Sequence, residues 1–220
     1  AIEAKDEYTK GHSNRVRLIS LDIGKLIGLD NKELQILEYG AMMHDVGKIG
    51  IKDTILQKNE SLTEEEFDSI MSHPAVGANI VRNISFFGPM LDCIKYHHEK
   101  FDGEGYPEGL KGEQIPLLSR IIAVADTYDA ITTTRPYRKG KTSYEAVRAL
   151  IEGKGAQFDP FVVDIFVNNR LYEKDYILKD KIEAETGTIK PSTIILDDEK
   201  GFSQIKKPKK KLDSYSYDEI

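Results

Sequence analysis

The stretch YGAMMHDVGKIG, residues 39–50, joins an apolar helical run to a histidine, an aspartate and two closely spaced glycines. His44 and Asp45 should lie near the inner face of a helix end, where an unpaired carboxylate is costly to bury. Adjacent helical residues diverge by about 100 degrees, so both side chains can approach one cation only where the helix ends. Gly47 and Gly50 would permit the backbone to turn aside there. Taken alone the pair is a weak signal, because a buried histidine beside a carboxylate is also a common structural arrangement.

Helical periodicity extends from this stretch over most of the chain, from His12 to about Tyr172. Helix starts are predicted where a cap residue precedes a glutamate by three positions, at Asp30 with Glu33, Thr63 with Glu66 and Thr142 with Glu145. A further helix is expected to begin at His73-Pro74 and to run towards Phe86. The segment between His98 and Ser119 holds too many glycines and prolines for a helix and is predicted to be an ordered loop. The pattern predicts an all-α fold.

The composition of the chain indicates how many cores it can form and which classes of partner and location it favours. The 220 residues are 40% hydrophobic, which suffices for one core, and the net charge of -6 argues against a broad basic face for polymeric nucleic acid. Cys93 has no partner for an internal disulfide, and the sequence shows neither a leader nor a membrane-inserting run, so we expect a cytoplasmic location. The chain begins at Ala1, which leaves room for an upstream sensory domain.

The sequence changes character after about Leu171, where it becomes charged and polar. We therefore expect a helical domain over residues 1–172 and a polar tail or accessory segment, mostly irregular, over residues 173–220. A basic run at residues 206–211 could contact nucleic acid or an anionic membrane, but a solvated segment is the simpler interpretation.

Residues able to bind metal are concentrated in the helical part. All five histidines fall there, at His12, His44, His73, His97 and His98. Asp126 and Asp129 lie three apart in RIIAVADTYDAI, so they share one face of an apolar helix and need a cation or an arginine partner. We expect Asp126 to bind metal and Asp129 to accept hydrogen bonds.

Imidazole and carboxylate ligands without cysteine suit iron, manganese or zinc better than calcium or magnesium. The set suffices for two metals if one carboxylate bridges them, and Asp45 is the candidate bridge. Two adjacent cations can activate water and neutralise the attacking and leaving oxygens of an in-line displacement at phosphorus. Phosphodiester hydrolysis is the chemistry that this set favours.

Other residues could contact a phosphate or a base. Lys48 lies about one helical turn after His44 and could reach a phosphate at the metals, or be an ordinary solvated lysine. Arg135 and Arg138 could clamp a phosphate, with solvent exposure as the alternative. Tyr106, in a stiff glycine- and proline-containing turn, could stack on a base or plug the loop against the core.

The chain resembles the HD-GYP phosphodiesterases, a subgroup of the HD metal-dependent phosphohydrolases, over about residues 6–167. The matching stretches are DEYTKGHSNRV, MMHDVGKIGIKDTIL, HPAVG, HHEKFDGEGYPEGLKGEQIP, RIIAVADTYDAITTTRPYR and GAQFDP. The resemblance implies an HD-domain helical bundle whose two- or three-metal centre hydrolyses cyclic di-GMP to linear pGpG, with GMP as an alternative final product. Related 3′,3′-cyclic dinucleotides are implied as alternative substrates.

Carried onto this sequence, the resemblance assigns seven metal ligands: His12, His44, Asp45, His73, His97, His98 and Asp126. It implies Asp45 and Lys48 as catalytic residues, and Lys48, Tyr106, Arg135 and Arg138 as substrate contacts. Members with a third metal resemble one another in a glutamate four residues before the first histidine, where this chain has Tyr8 beside Glu7. We therefore expect two divalent metals, iron or manganese with zinc as the alternative, and a homodimer remains open.

Under this hypothesis a metal-bridging hydroxide attacks phosphorus, while Lys48, Arg135 and Arg138 stabilise the charge on the phosphate. A cyclic dinucleotide sensor without turnover is the main alternative. A third hypothesis, a one-metal nucleotidase acting on mononucleotides, predicts no need for His73, His97 and His98.

Overall fold

The computed structural model describes residues 11–58, 60–134 and 139–186. Their α-helices are α1 His12–Ile27, α2 Asn31–Met43, α3 Asp53–Leu56, α4 Glu64–Met71, α5 His73–Val81, α6 Leu91–Tyr96, α7 Leu117–Thr132, α8 Ser143–Glu152, α9 Pro160–Asn168 and α10 Tyr176–Thr186. Short 3-10 helices span Val46–Gly50, Ser85–Met90, Gly112–Gln114 and Leu171–Glu173. Within those three ranges there is no strand, only an isolated bridge between Lys154 and Phe158. The predicted all-α class is confirmed.

Helix α1 lies at the centre of the bundle, against α2 on one side and α7 on another. Its apolar stripe includes Val16 and Ile23, which are fully buried with Leu37 of α2 and Ile122 of α7. Helix α9 contacts α1 and α7 and adds the buried Phe166 to the same core. This packing fixes the position of His12, the first residue of α1, relative to Asp126 and Asp129 on α7.

The local start signals were read correctly. Asp30, Thr63 and Thr142 each form the reciprocal cap with the glutamate three positions later. Helix α5 begins at His73-Pro74 as predicted, but it ends at Val81 and does not run to Phe86. Ile84 is extended, and a 3-10 helix containing Pro89 follows. The N–H of Ile84 donates to the carbonyl of Val81 at 2.9 Å, so a turn replaces the helix here and the apolar spacing overestimated its length.

Helix α10 lies inside the segment predicted to be a polar tail, and the sequence analysis did not predict it. It contacts α1, and its one buried residue is Tyr176, whose ring joins the hydrophobic core. Polar groups make other contacts with α1. Asn14 donates from Nδ2 to Oδ1 of Asp180 at 2.8 Å, and the Arg17 guanidinium contacts the Glu183 carboxylate. Because these partners lie far apart in the chain, no local pattern announces them. The described part of the chain contains no helix of sufficient length and hydrophobicity to cross a bilayer.

Candidate metal centre

Three histidines follow the last turn of a helix and are oriented in the same way. Nδ1 of His44, His73 and His97 lies 2.6, 2.7 and 2.9 Å from the carbonyl oxygens of Ala41, Ile70 and Ile94, each three residues earlier. A carbonyl can only accept, so each Nδ1 must carry the hydrogen and each Nε2 presents a lone pair. The carbonyls are available because a helix end leaves its last acceptors without intrahelical donors. The sequence HD at the end of α2 therefore places an oriented ligand nitrogen at that end.

Asp45 lies where α2 changes into the 3-10 helix Val46–Gly50, with φ −91° and ψ 6°. Its Oδ1 is 3.2 Å from Nε2 of His73. Its Oδ2 is 3.5 Å from Nε2 of His44 and 4.0 Å from Nε2 of His12. The change of backbone geometry brings the two adjacent side chains of the dyad together, and the two carboxylate oxygens face different histidines.

Position 47 has no room for a side chain, so glycine is required there. A Cβ on Gly47 would lie 1.8 Å from the carbonyl oxygen of His73 and 2.5 Å from the amide nitrogen of Gly77. The sequence analysis attributed this glycine to the turn itself. The structure shows in addition a close approach between the HD turn and the start of α5, which carries His73.

His12 opens α1 and is held differently. Its Nε2 is 3.2 Å from Oδ1 of Asp126, and its Nδ1 is 2.8 Å from Oδ2 of Asp129. Arg15 donates to Asp129 from Nε at 2.6 Å and from a terminal nitrogen at 3.0 Å. The hydrogen-bonding role predicted for Asp129 is confirmed. Burial lowers the pKa of His12, but the hydrogen bonds to Asp126 and Asp129 outweigh it and raise this pKa to about 10.

The other groups favour the forms that bind metal. Burial lowers the pKa of the His44 and His97 imidazoles, and it lowers the pKa of His98 to about 4. Burial opposes ionisation of Asp45, yet Lys48, with Nζ 2.6 Å from Oδ2, and His44 hold the pKa of this carboxyl well below its usual range. Neutral imidazoles and ionised carboxylates are the states in which these side chains coordinate cations.

The seven predicted ligands come together as two adjacent groups, each of which could hold a metal ion. One group comprises Asp45, His73, His97 and His98, and the other comprises His12, His44 and Asp126. Two observations test whether a cation fits. Nε2 of His44 is completely buried and finds no hydrogen-bond partner among the described residues. Nε2 of His73 and Nε2 of His97 lie 3.3 Å apart, although both Nδ1 atoms already carry the hydrogens. Opposed lone pairs and an unpartnered buried nitrogen are unfavourable without a positive charge between them, so the residues fit a metal.

Comparison with known proteins agrees with this geometry. The family model described as HD domain matches residues 1–162. The chain belongs to the HD domain family. The match extends from the segment before His12 into α9, so it includes all seven residues of the two ligand groups.

Curated relatives of this HD domain are named as cyclic dinucleotide phosphodiesterases. The cyclic di-GMP phosphodiesterase response regulator RpfG of Xanthomonas campestris is 38% identical over 173 residues, covering 77% of this chain and 46% of the relative. The 3′3′-cGAMP-specific phosphodiesterase 3 of Vibrio cholerae is 35% identical over 159 residues, covering 72% of this chain and 35% of the relative. The predicted resemblance is confirmed, and the chain spans less than half the length of these two relatives.

A solved structure of a cyclic GMP-AMP-specific phosphodiesterase of V. cholerae has the same fold. Its TM-score is 0.59 at 20% identity, over 86% of this HD domain and 53% of that chain. At this identity the likeness concerns the fold alone.

Two of the four predicted substrate contacts, Lys48 and Tyr106, lie within the described residues. The ring of Tyr106 stacks on the ring of His98, with centroids 4.9 Å apart and planes inclined by 26°. Lys48 lies beside Asp45, as given above. Arg135 and Arg138 lie outside the described residues, as do Tyr8 and Glu7, on which the expectation about a third metal was based.

Two residues of the site were missed by the sequence analysis. Arg15 pairs with the carboxylate that orients His12, and its place one turn after that histidine was the available signal. Glu99 follows the histidine pair directly, and its buried carboxylate accepts hydrogen bonds from the loop that carries Tyr106. Both act on neighbouring groups rather than on a cation, so a search for ligand types does not find them.

Proposed function

We propose that this HD domain is a metal-dependent phosphodiesterase that hydrolyses cyclic di-GMP to linear pGpG, with further cleavage to GMP as an open alternative. The observation that carries the proposal is the position of Asp45, whose two oxygens face the two ligand groups from one carboxylate. A shared carboxylate between two sets of nitrogen ligands is the arrangement expected for a pair of cations acting on one phosphodiester.

The two groups would hold two divalent transition metals, with iron or manganese favoured and zinc as the alternative. The ligands are five imidazoles and two carboxylates, and Cys93 is buried and free, outside both groups. Bound metals would supply Lewis acidity and a water of lowered pKa for attack on phosphorus.

The protein groups around the metals would bind and orient the substrate. The Lys48 ammonium, 2.6 Å from Asp45, is placed to contact a phosphate oxygen next to that carboxylate. The Tyr106 ring covers His98 and offers a face on which a base could stack. We assign Arg135 and Arg138 to the phosphates on the basis of the sequence.

A second candidate substrate is a mixed 3′,3′-cyclic dinucleotide. The V. cholerae relative named for 3′3′-cGAMP is nearly as similar to this chain as the relative named for cyclic di-GMP. The two substrates share the same kind of phosphodiester and differ in a base, so the choice between them would depend on base contacts such as Tyr106.

We further propose that residues 1–172 form the catalytic unit and residues 173–220 an accessory segment that begins with α10. The activity is assigned to the cytoplasm, where free Cys93 stays reduced. The chain covers less than half of the length of these relatives, so the proposal leaves room for an upstream sensory domain. A homodimer stays an open alternative of the proposal.

The test is purification without oxygen, elemental analysis, and chromatography of the nucleotides after incubation with cyclic di-GMP. We expect about two transition-metal ions per chain and release of pGpG, with no product from Asp45→Ala. Binding of cyclic di-GMP by the metal-loaded chain without release of linear product would contradict the proposal and favour a sensor.

A further inference from the structure

Glu99 places a buried carboxylate between the metal ligands and the loop that carries Tyr106. It follows His98 directly and is only 3% exposed. One carboxylate oxygen, Oε1, accepts from the backbone N–H of Glu108 at 2.8 Å. The other, Oε2, accepts from the backbone N–H of Leu110 at 3.1 Å. Glu108 and Leu110 both follow Tyr106 in the sequence, so one loop donates hydrogen bonds to both carboxylate oxygens of Glu99.

The same loop is held close to the chain around Glu99 by its backbone. The N–H of Tyr106 donates to the carbonyl of His98 at 3.3 Å. A Cβ on Gly105 would lie 2.2 Å from the amide nitrogen of Lys100 and 2.6 Å from Cα of Glu99. The turn therefore folds back onto the residues that follow the metal ligands, with the Glu99 side chain completing its attachment.

Glu99 does not belong to either ligand group, since neither group of side chains that could hold a metal includes it. Its hydrogen bonds hold the loop that places the Tyr106 ring on His98. Two backbone donors require two acceptors, and a carboxylate provides both. A glutamine would accept from one N–H and oppose the other with its own amide hydrogens.

We propose that Glu99 is a positioning residue: it fixes the Tyr106 loop over His98 and thereby sets the affinity for the nucleobase without holding metal. This inference rests on the proposed function. It separates two tasks within the triplet His97-His98-Glu99, in which the histidines face the cations and the glutamate builds the wall against which a base would lie.

The test compares Glu99→Gln with Glu108→Gln. Glu108 is a matched control because its backbone N–H contacts Glu99, whereas its side chain pairs with Lys95 at the surface. We expect Glu99→Gln to raise KM for cyclic di-GMP about tenfold, as for loss of a charge-assisted hydrogen bond, with a smaller change in kcat. Metal content and turnover of methyl 4-nitrophenyl phosphate, a diester without a base, should stay at the wild-type level. Glu108→Gln should change KM less than about twofold.

A cycle with Tyr106→Ala tests whether Glu99 acts through that ring. If it does, Glu99→Gln adds little once the ring is absent. Additive effects, an unchanged KM in Glu99→Gln, or a fall in its metal content would each overturn the inference. Should Glu99→Gln fold poorly, Glu99→Asp keeps two acceptor oxygens at shorter reach and is expected to raise KM by a smaller factor. A wild-type chain that cleaves the small diester but no cyclic dinucleotide would instead overturn the proposed function.

Discussion

Two kinds of acceptor orient the histidines of the metal centre, and the division does not follow the two ligand groups. His44, His73 and His97 donate to backbone carbonyls that the preceding helix turns leave available. His12, at the start of α1, contacts the carboxylate of Asp129, which Arg15 also binds. The first arrangement depends only on where the helices end. The second depends on side chains that come from distant parts of the chain.

The difference also affects the charge of the rings. Burial lowers the pKa of His44 and His97, whose acceptors are neutral carbonyls. The carboxylates around His12 overcome burial and raise the pKa of that ring. An anionic acceptor makes an imidazole a stronger base, so we expect the His12 side of the centre to respond more strongly to changes beyond the ligands.

The largest effect is expected from His73→Ala, which removes a ligand nitrogen 3.2 Å from Asp45. Loss of a ligand should exceed the 10- to 100-fold cost typical of changes in the surrounding shell, so hydrolysis should fall more than about 100-fold. Elemental analysis measures the loss of bound metal, and product chromatography measures the fall in hydrolysis. A variant that retained its full metal content and its activity would remove His73 from the proposed centre.

Gly47→Ala should disturb the histidines that backbone carbonyls orient, without changing any ligand. The added methyl would meet the carbonyl of His73 at 1.8 Å, so α5 must move away from the HD turn. We expect a loss of about 1–3 kcal/mol in the free energy of unfolding, together with reduced metal content. Thermal unfolding and elemental analysis measure this.

Gly88→Ala is the control for that substitution, because a Cβ there meets no heavy atom within 4 Å. It should change the stability little and the metal content not at all. Equal losses in both variants would mean that the close approach at Gly47 has no special role.

Asp129→Asn should weaken the His12 side alone. The amide loses the charge that Arg15 and His12 share, and metal affinity at the second group should fall about 10- to 100-fold. Competition with a chelator measures this affinity. Asp159→Asn is the matched control, since Asp159 is a buried aspartate that pairs with Arg120 away from the ligand groups. If both substitutions weakened metal binding equally, general destabilisation would explain the result.

The smallest effect is expected from Asp180→Asn in α10. Asp180 lies 3.6 Å from the Arg15 guanidinium, so it is three contacts from the metal-facing nitrogen of His12. A loss of less than about fivefold in metal affinity is expected for a partly exposed ion pair. Glu183→Gln, on the same helix but paired with Arg17, should leave metal affinity unchanged. A larger effect in Glu183→Gln would contradict this order.

Sequence spacing predicted those features that depend on near neighbours. The caps at Asp30, Thr63 and Thr142 follow from residues three apart. The ligands at the helix ends follow from histidines placed after apolar runs. By contrast, the contacts of His12 and Arg15 with Asp129 join residues 117 and 114 positions apart, and no local period encodes such a pairing. The resemblance supplied the set of ligands, and the fold supplied the acceptors that orient them.

Helix α10 has a consequence for the extent of the domain. The family match ends at residue 162, and α10 begins at Tyr176. Yet this later helix covers the guanidiniums of Arg15 and Arg17, which are 5% and 6% exposed. A chain shortened to the matched residues would open these two buried cations to water at the edge of the His12 ligand group. The smallest piece that keeps Arg15 and Arg17 covered is therefore longer than the piece that identifies the family.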